Sequence, residues 1–381
     1  MFIEKIGIDL HSNNFTIAYR NELRNILFKK INLFKEDEIE SFIKMLSKET
    51  ILAVEATSNS NYFYRLFKKY VKKIMIVNTK KFDINKRSKK KNDREDAKRI
   101  LIFLEVGMLE GIWIATDEIR NLRKLVSIQK RLESIQVCSK NMLGNILTAN
   151  GIRRNKKDIM HADNNSLFYD SNLNENQIFV AENLIRVIKY IEFKNEILKH
   201  AIVKSIGKDK RIELLLSIPG IGPYTAAAIL SEIGDINRFD SSKKLCSYAG
   251  ITPILDESNG KRKQKGITKS GRKKLRYFVC FAVNNAIRSS KIFREFYERI
   301  NGKGNKKRAM VATARKLLTV IYEILSKEEP FKEYKEKLYE KKINNWDKEL
   351  SMKENDIKIA MDNFLESELL NFSHIKDKMI C

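Results

Sequence analysis

The chain of 381 residues carries 74 Lys and Arg against 48 Asp and Glu, a formal net charge of +26, and an excess of that size points to a polyanion as partner. An apolar fraction of 43% supplies real cores over a length that suits two domains with connecting helices, and 4 Pro with 15 Gly argue against long disordered linkers or a turn-rich sandwich. No apolar run approaches ~18 residues, no basic amphipathic anchor stands out and no signal peptide precedes the first strand, so a cytoplasmic protein without a membrane role is expected. Cys138, Cys246, Cys280 and Cys381 are too scattered for a zinc or redox pair, as are the four histidines.

In chain order, residues 4–10 (EKIGIDL) read as a buried strand, 15–20 as its hairpin partner and 26–33 as a third strand. A helix at 36–47, a strand at 51–56 (ILAVEA), a helix at 62–70, a strand at 73–78 and a helix at 93–105 follow. Three strands and then β-α units predict an α/β layer with a mixed sheet. Two long helices come next, at 117–147 and 175–205, separated by a polar, loop-like 149–174. Leu125, Ile128, Leu132, Ile135, Met142 and Ile146 in the first, and Leu184, Ile188, Ile191, Leu198 and Ile202 in the second, follow a heptad-like rhythm. That pattern predicts an antiparallel hairpin or coiled-coil arm, packed on a domain or on a second copy. Residues 210–330 read as a mostly helical domain, and the tail beyond it as a charged helical extension.

Four acids of the first part stand out. Asp9 sits inside an apolar strand, where a carboxylate is costly unless paired or bound to a cation. Glu55 repeats the pattern at the end of ILAVEA, and Asp93 and Asp96 share a helix face at i and i+3, with Glu95 out of step. Singly, each is an ordinary cap or ion-pair partner. Together, two strand acids and two helix acids converge at a sheet edge, and four carboxylates without a histidine suit Mg2+. Two such ions about 3.5–4 Å apart clamp the attacking and leaving oxygens of a phosphodiester.

Further on, 214–230 (LLLSIPGIGPYTAAAIL) has the form of a helix-hairpin-helix. Gly220 and Gly222 let a backbone come close, Pro223 opens a helix, and free N–H groups at that helix start suit a phosphate. From Lys261 to Arg276 there are nine cations: Lys261, Arg262, Lys263, Lys265, Lys269, Arg272, Lys273, Lys274 and Arg276. They form an electrostatic footprint for a nucleic-acid backbone. Ser258 precedes Asn259-Gly260, a favoured hairpin turn pair.

These residues together resemble the IS-one-ten insertion-sequence family of DEDD transposases, related to the Piv-type DNA invertases. The resemblance covers about residues 4–335 and rests on GID at 7–9, VEAT at 54–57, DREDA at 93–97, SIPGIGPYTAAAIL at 217–230 and FDSSKKLCSYAGITP through SNGKRKQKGITKSGRKKLR. It implies an RNase H-like (RuvC-like) α/β catalytic domain at 1–115 and a helical coiled-coil arm at 116–206. It also implies a mostly α transposase domain at 207–335, leaving a charged helical tail at 336–381. It further implies that Asp9, Glu55, Asp93 and Asp96 bind Mg2+ and that Ser258, which follows Gly250-Ile251-Thr252-Pro253, is a nucleophile linking to DNA. Asp256 and Glu257 directly before Ser258 depart from a site built for phosphate, so Ser270 is the second candidate; Ser241 and Ser242 precede the GITP segment. The implied partners are target and donor DNA, a structured noncoding (bridge) RNA that supplies sequence choice, and further copies in a dimer or tetramer. Two other readings compete: a RuvC-like Holliday junction resolvase using metal-activated water, and a non-catalytic nucleic-acid-binding protein.

Overall fold

Strand alternation organises the first part of the chain. Lys5–Leu10 (β1), Asn14–Arg20 (β2) and Ile26–Asn32 (β3) form an antiparallel meander, and Ile51–Glu55 (β4) and Lys73–Val77 (β5) extend it in parallel, in the order β3-β2-β1-β4-β5. The computed structural model describes residues 3–79, 92–152, 173–258, 261–302, 304–333 and 336–351, with 359 and 363. The chain divides into two compact units, residues 1–115 and 116–381.

In the first unit the period-2 geometry of the strands sorts side chains to two faces. Ile6, Ile8, Phe15, Ile17, Leu52 and Val54 face the helices Glu36–Ile43 (α1) and Ser60–Phe67 (α2), where Phe15 meets Phe42 and Phe63 edge-on, each at 5.2 Å between ring centroids. The opposite face is made of small residues. Register places Ala18, Gly7 and Ala53 side by side across β2, β1 and β4. The helix Asp93–Glu105 (α3) packs on this face. A Cβ on Gly7 would lie 2.4 Å from the carbonyl oxygen of Ala97 and 2.3 Å from the amide nitrogen of Leu101. Glycine is thus required there so that α3 can approach the sheet. At the far end of α3, Arg20 holds Glu105 with two hydrogen bonds of 2.7 and 3.0 Å. Gly7→Ala should therefore displace α3 and cost the unit about 1–3 kcal/mol by overpacking; chemical denaturation of the two proteins checks this.

In the second unit, Asp117–Ala149 (α4) and Glu175–Ile206 (α5) are long helices. Thr116 caps the first, and a reciprocal Asn174–Gln177 capping box opens the second. They run antiparallel: Leu143 and Leu147 pack with Ala181, Ile185 and Ile188, while Leu122 and Val126 share a core with Ile202 and Val203. The seam differs from the one expected. Leu122, Val126, Gln129, Ser139, Leu143 and Leu147 are buried, whereas Ile128, Ile135 and Met142 are 51%, 39% and 51% exposed. The expected stripe chose the most apolar residues. The real seam accepts Gln129, because Tyr224 donates to its Oε1 at 2.6 Å and its own Nε2 reaches Glu133 at 2.5 Å. Residues 153–172 of the intervening stretch lie outside the described residues.

The helices Lys210–Leu216 (α6), Pro223–Ile233 (α7) and Ser242–Ala249 (α8) precede a hairpin of Pro253–Ser258 (β6) and Lys261–Ile267 (β7). Lys273–Ser289 (α9), Lys291–Asn301 (α10), Lys306–Lys327 (α11) and Glu336–Ser351 (α12) complete the unit. One continuous core joins the base of the long helices, α6 to α9 and α11, and reaches Trp346 of α12. Thus the beginning of the charged tail is part of the unit: Trp346 is buried, and Lys342 donates to the carbonyls of Leu216 (2.7 Å) and Ile218 (2.8 Å). Burial brings the Lys342 ammonium down to about 8. No helix among the described residues is long and apolar enough to cross a membrane.

Candidate active site

The α3 side of the first sheet carries Asp9 and Glu55, each two residues beyond the small residues Gly7 and Ala53 and hence on the same face. The close crossing at Gly7 brings the N-terminal turn of α3, with Asp93 and Asp96, to these strand ends. Asn92 caps that turn, accepting from the Arg94 amide at 3.1 Å. The positive end of the helix favours the acids of its first turn.

Asp9 is only 3% exposed. Its carboxyl is pushed up to about 6, chiefly by burial and further by the charges of Glu55, Asp96 and Asp93, against which the nearby His11 works. All four acids expected at the site therefore act on one point. Thr79 Oγ1 donates to Glu55 Oε1 at 2.5 Å and orients it. Asp93 faces Lys30 at 3.7 Å, and Asp96 faces Arg99 at 3.5 Å. Glu95 points to Lys98 at 3.8 Å and, at 58% exposure, is an ordinary surface acid. Lys89, Lys90 and Lys91 lie outside the described residues.

The expectation of a site without histidine is corrected by the structure. His11 Nε2 stands 3.2 Å from Asp9 Oδ2 and 3.3 Å from Asp93 Oδ1, and its backbone carbonyl accepts from Asn59 at 2.7 Å. The signal was present in sequence: His11 follows Asp9 by two residues, the period that keeps a side chain on one face. Asp9 Oδ2 and His11 Nε2 are both buried and lack a hydrogen bond. Ligand atoms of Asp9, His11 and Asp93 lie within 4.8 Å of one another. Repelling carboxylates around an orphaned buried oxygen fit a divalent cation, which would offset their mutual repulsion. The predominance of carboxylate oxygen favours a hard ion.

In the second unit, the described backbone places Ser258 at the end of β6, paired with Lys261 of β7; Glu257 pairs with Arg262 and Asp256 with Lys263. The turn residues Asn259 and Gly260, and the side chains of 255–265, which include Ser258, Lys261, Arg262, Lys263 and Lys265, lie outside the described residues. Ser270, Lys269 and Lys273 are exposed.

Three cations expected in a phosphate footprint also bond groups of the protein. Arg272 bonds the buried carboxylate of Glu232 at 2.7 Å, Lys274 donates to Ser127 at 2.6 Å, and Arg276 donates to the carbonyls of Ala249 (2.8 Å) and Lys269 (3.3 Å). Gly220 has a structural reason of its own. Its φ is +92°, and a Cβ there would lie 2.4 Å from the Ala286 amide nitrogen of α9. The close approach it permits is therefore to the protein itself. Gly222 caps α7 and has open space where a side chain would be.

Comparisons with known proteins agree with this organisation. Residues 6–150 match the family model of DEDD-type IS110 transposases, described as a transposase. Residues 212–298 match the model of the transposase IS116/IS110/IS902 family. A pilin gene-inverting protein of Moraxella bovis is 40% identical over 124 residues, 32% of this chain and 38% of that protein, so the match spans well under half of the relative's length. The transposase for insertion sequence element IS1111A of Coxiella burnetii is 23% identical over 87% of this chain and 92% of its own length. The transposase for insertion sequence element IS1328 of Yersinia enterocolitica is 22% identical over 71% of this chain and 80% of its own length. With both models matched in order, one on each unit and the first running on into α4, the chain belongs to the IS110/IS116 family of transposases.

Proposed function

We propose that this chain is a Mg2+-dependent DNA transposase and recombinase that breaks and rejoins DNA through a serine–phosphate link. The observation that carries the reading is the grouping of Asp9, His11 and Asp93 within 4.8 Å, with Glu55 and Asp96 close enough for their charges to raise the Asp9 carboxyl. The sheet order, with an antiparallel meander followed by parallel strands, supports an RNase H-like domain over residues 1–115.

Asp9, Glu55, Asp93 and Asp96 would hold the ion. When bound, Mg2+ supplies positive charge to a phosphodiester and to an attacking hydroxyl. Thr79 keeps Glu55 oriented, and His11 stands beside Asp9 and Asp93. Ser258 Oγ would form a bond to the scissile phosphorus as the bond to the departing deoxyribose oxygen breaks. The hydroxyl proton is lost and the departing oxygen gains one. Attack by a second strand's hydroxyl on that serine–phosphate link restores the phosphodiester and releases the serine. The register that sets Lys261, Arg262 and Lys263 across from Ser258, Glu257 and Asp256 keeps positive charge on the facing strand.

A domain at 207–335 would carry this serine, with a helix-hairpin-helix at 210–233 whose open Gly222 leaves the start of α7 accessible to a phosphate. The helical arm at 116–206 would join copies as a coiled coil into a dimer or tetramer. Ile128, Ile135 and Met142, exposed and seven residues apart on α4, support that role. Sequence choice would come from a structured noncoding RNA. Delegating readout to base pairing leaves the protein to hold backbones, which the net charge of +26 suits. Sequencing RNA that copurifies with the protein tests this part, and recombination by an RNA-free preparation would remove it.

The acidic site alone also suits a junction resolvase using activated water, which needs no serine. Trapping a covalent protein–DNA adduct separates the two. The adduct should form with the unmodified chain and disappear in Ser258→Ala. Full strand exchange by Ser258→Ala would defeat the serine mechanism, and loss of the adduct in Ser270→Ala alone would move the nucleophile to that residue.

A further inference from the structure

Beyond the acidic edge, the second unit contains a groove of about 1070 Å³ between the β6–β7 hairpin and the helices α10 and α11. Lys269, Arg299, Lys307, Arg308, Arg315 and Lys316 line it, and among the described residues no acidic one does. Only Lys269 belongs to the basic run read from the sequence. The nearby ion pairs Lys291–Glu295 and Lys327–Glu323 involve none of the six.

The start of α11 adds to the charge of this groove. Its first turn holds Lys306, Lys307 and Arg308 with no acid, all three exposed. Asn305 caps the turn, accepting from the Arg308 amide at 2.9 Å. Cations at the positive end of a helix are unfavourable by themselves, so this arrangement favours an anion brought from outside. On the facing wall, Phe296 has the Lys316 ammonium 4.7 Å and the Arg299 guanidinium 5.2 Å from its ring centroid, which holds two of the cations in place.

Apart from Asn305 and Thr319, the rest of the described lining is apolar, with Ile251, Ile267, Ile300, Val311 and Ala312. A duplex presents phosphates outward and keeps the faces of its bases stacked inside, so an apolar floor would have nothing to contact. A single strand offers phosphates to a cationic rim and base faces to such a floor. We propose that this groove binds a single-stranded stretch of nucleic acid, with its phosphates on the rim and its bases on the floor. The inference rests on the reading of this unit as one that handles nucleic acid, and adds where a strand lies and in which state.

The test is fluorescence anisotropy of the full chain with a short labelled single-stranded DNA, the same sequence as RNA, and the DNA duplex, all in chelator. Lys307→Gln with Arg308→Gln should weaken single-strand binding about tenfold or more and reduce the salt slope by about 1.4, for two lost phosphate contacts. Its melting temperature should stay level or rise, since two cations leave a helix N-terminus, and Lys291→Gln should bind as the unmodified chain does. Stronger loss with RNA or with DNA tells which strand uses the groove. Unchanged single-strand affinity in the double variant, or a duplex bound as tightly and weakened equally, would overturn the proposal. Oligonucleotide affinity lost by the double variant of a chain that never breaks DNA leaves the groove standing and removes only the catalytic reading. DNA breakage with groove-independent binding does the reverse.

Discussion

Asp9→Asn is expected to abolish strand exchange while making the chelator-treated protein more stable at neutral pH. The reason lies in the sign of the Asp9 shift. Its carboxyl is raised from 3.8 to about 6, so the folded state binds this proton more tightly than the unfolded state does. The associated stability is fully present below pH ~4 and is lost as pH rises through ~6, a change on the order of 3 kcal/mol. Above pH ~6 the folded unit holds a buried carboxylate that Glu55, Asp96 and Asp93 repel and His11 only partly offsets. Asparagine removes the charge and keeps the shape. Mg2+ should raise the melting temperature of the unmodified chain and leave Asp9→Asn nearly unchanged, because ligand bound only to the folded state stabilises it. Thermal melts at several pH values, with and without Mg2+, measure both effects. Asp96→Asn should also stop strand exchange, whereas Glu95→Gln should be almost silent. Full recombination by Asp9→Asn would sink the metal-site assignment.

Arg272→Ala should unfold the second unit at markedly lower denaturant rather than simply weaken nucleic-acid binding. Glu232 is fully buried near the end of α7, and its Oε2 accepts from Arg272 at 2.7 Å while its Oε1 has no hydrogen bond. Around it, Arg123 donates to the carbonyls of Ser231 (2.6 Å) and Glu232 (2.9 Å) from α4, and Tyr248 donates to the latter at 3.4 Å from α8. One buried carboxylate thus sits where α4, α7, α8 and α9 meet. Removing its cation leaves a charge in a dry core, which costs about 3–5 kcal/mol for a fully buried pair. Since the Arg272 side chain is 40% exposed, roughly 3 kcal/mol is expected. Arg272→Ala with Glu232→Leu should recover much of the loss, because an apolar pair leaves nothing unpaired. A variant with unchanged stability and a reduced salt slope would instead return Arg272 to the phosphate surface.

Local pattern was enough for much of this protein. Short apolar runs placed all five strands of the first sheet within a residue or two, because strands covered by α1 and α2 on one face and by α3 on the other are buried on both. Asp117 and Glu118 marked the start of α4, and the Asn-Gly pair marked the hairpin that now joins Ser258 to Lys261 in register. The buried Asp9 was also legible, since a carboxylate in a strand as apolar as IGIDL is costly without a partner.

What failed were questions of facing and partnership. Apolarity alone chose Ile128, Ile135 and Met142 for the α4 seam, but a helix with apolar residues on more than one face does not say which face its neighbours cover; the Tyr224 hydroxyl settled that by satisfying Gln129. Charge alone could not separate Arg272, which holds Glu232, from Lys307 and Arg308, which line an open groove, since composition records a cation and not the carboxylate it meets. The spacing of His11 from Asp9 hinted at a shared face, but its meeting with Asp93 required Gly7 to let α3 close on the sheet. The sequence by itself determined the elements, their order and the residue types able to do the chemistry, because these follow from local periodicity and the cost of burying charge. Tertiary structure alone decided which of those residues meet, because meeting depends on close approach between segments some ninety residues apart, as between β1 and α3.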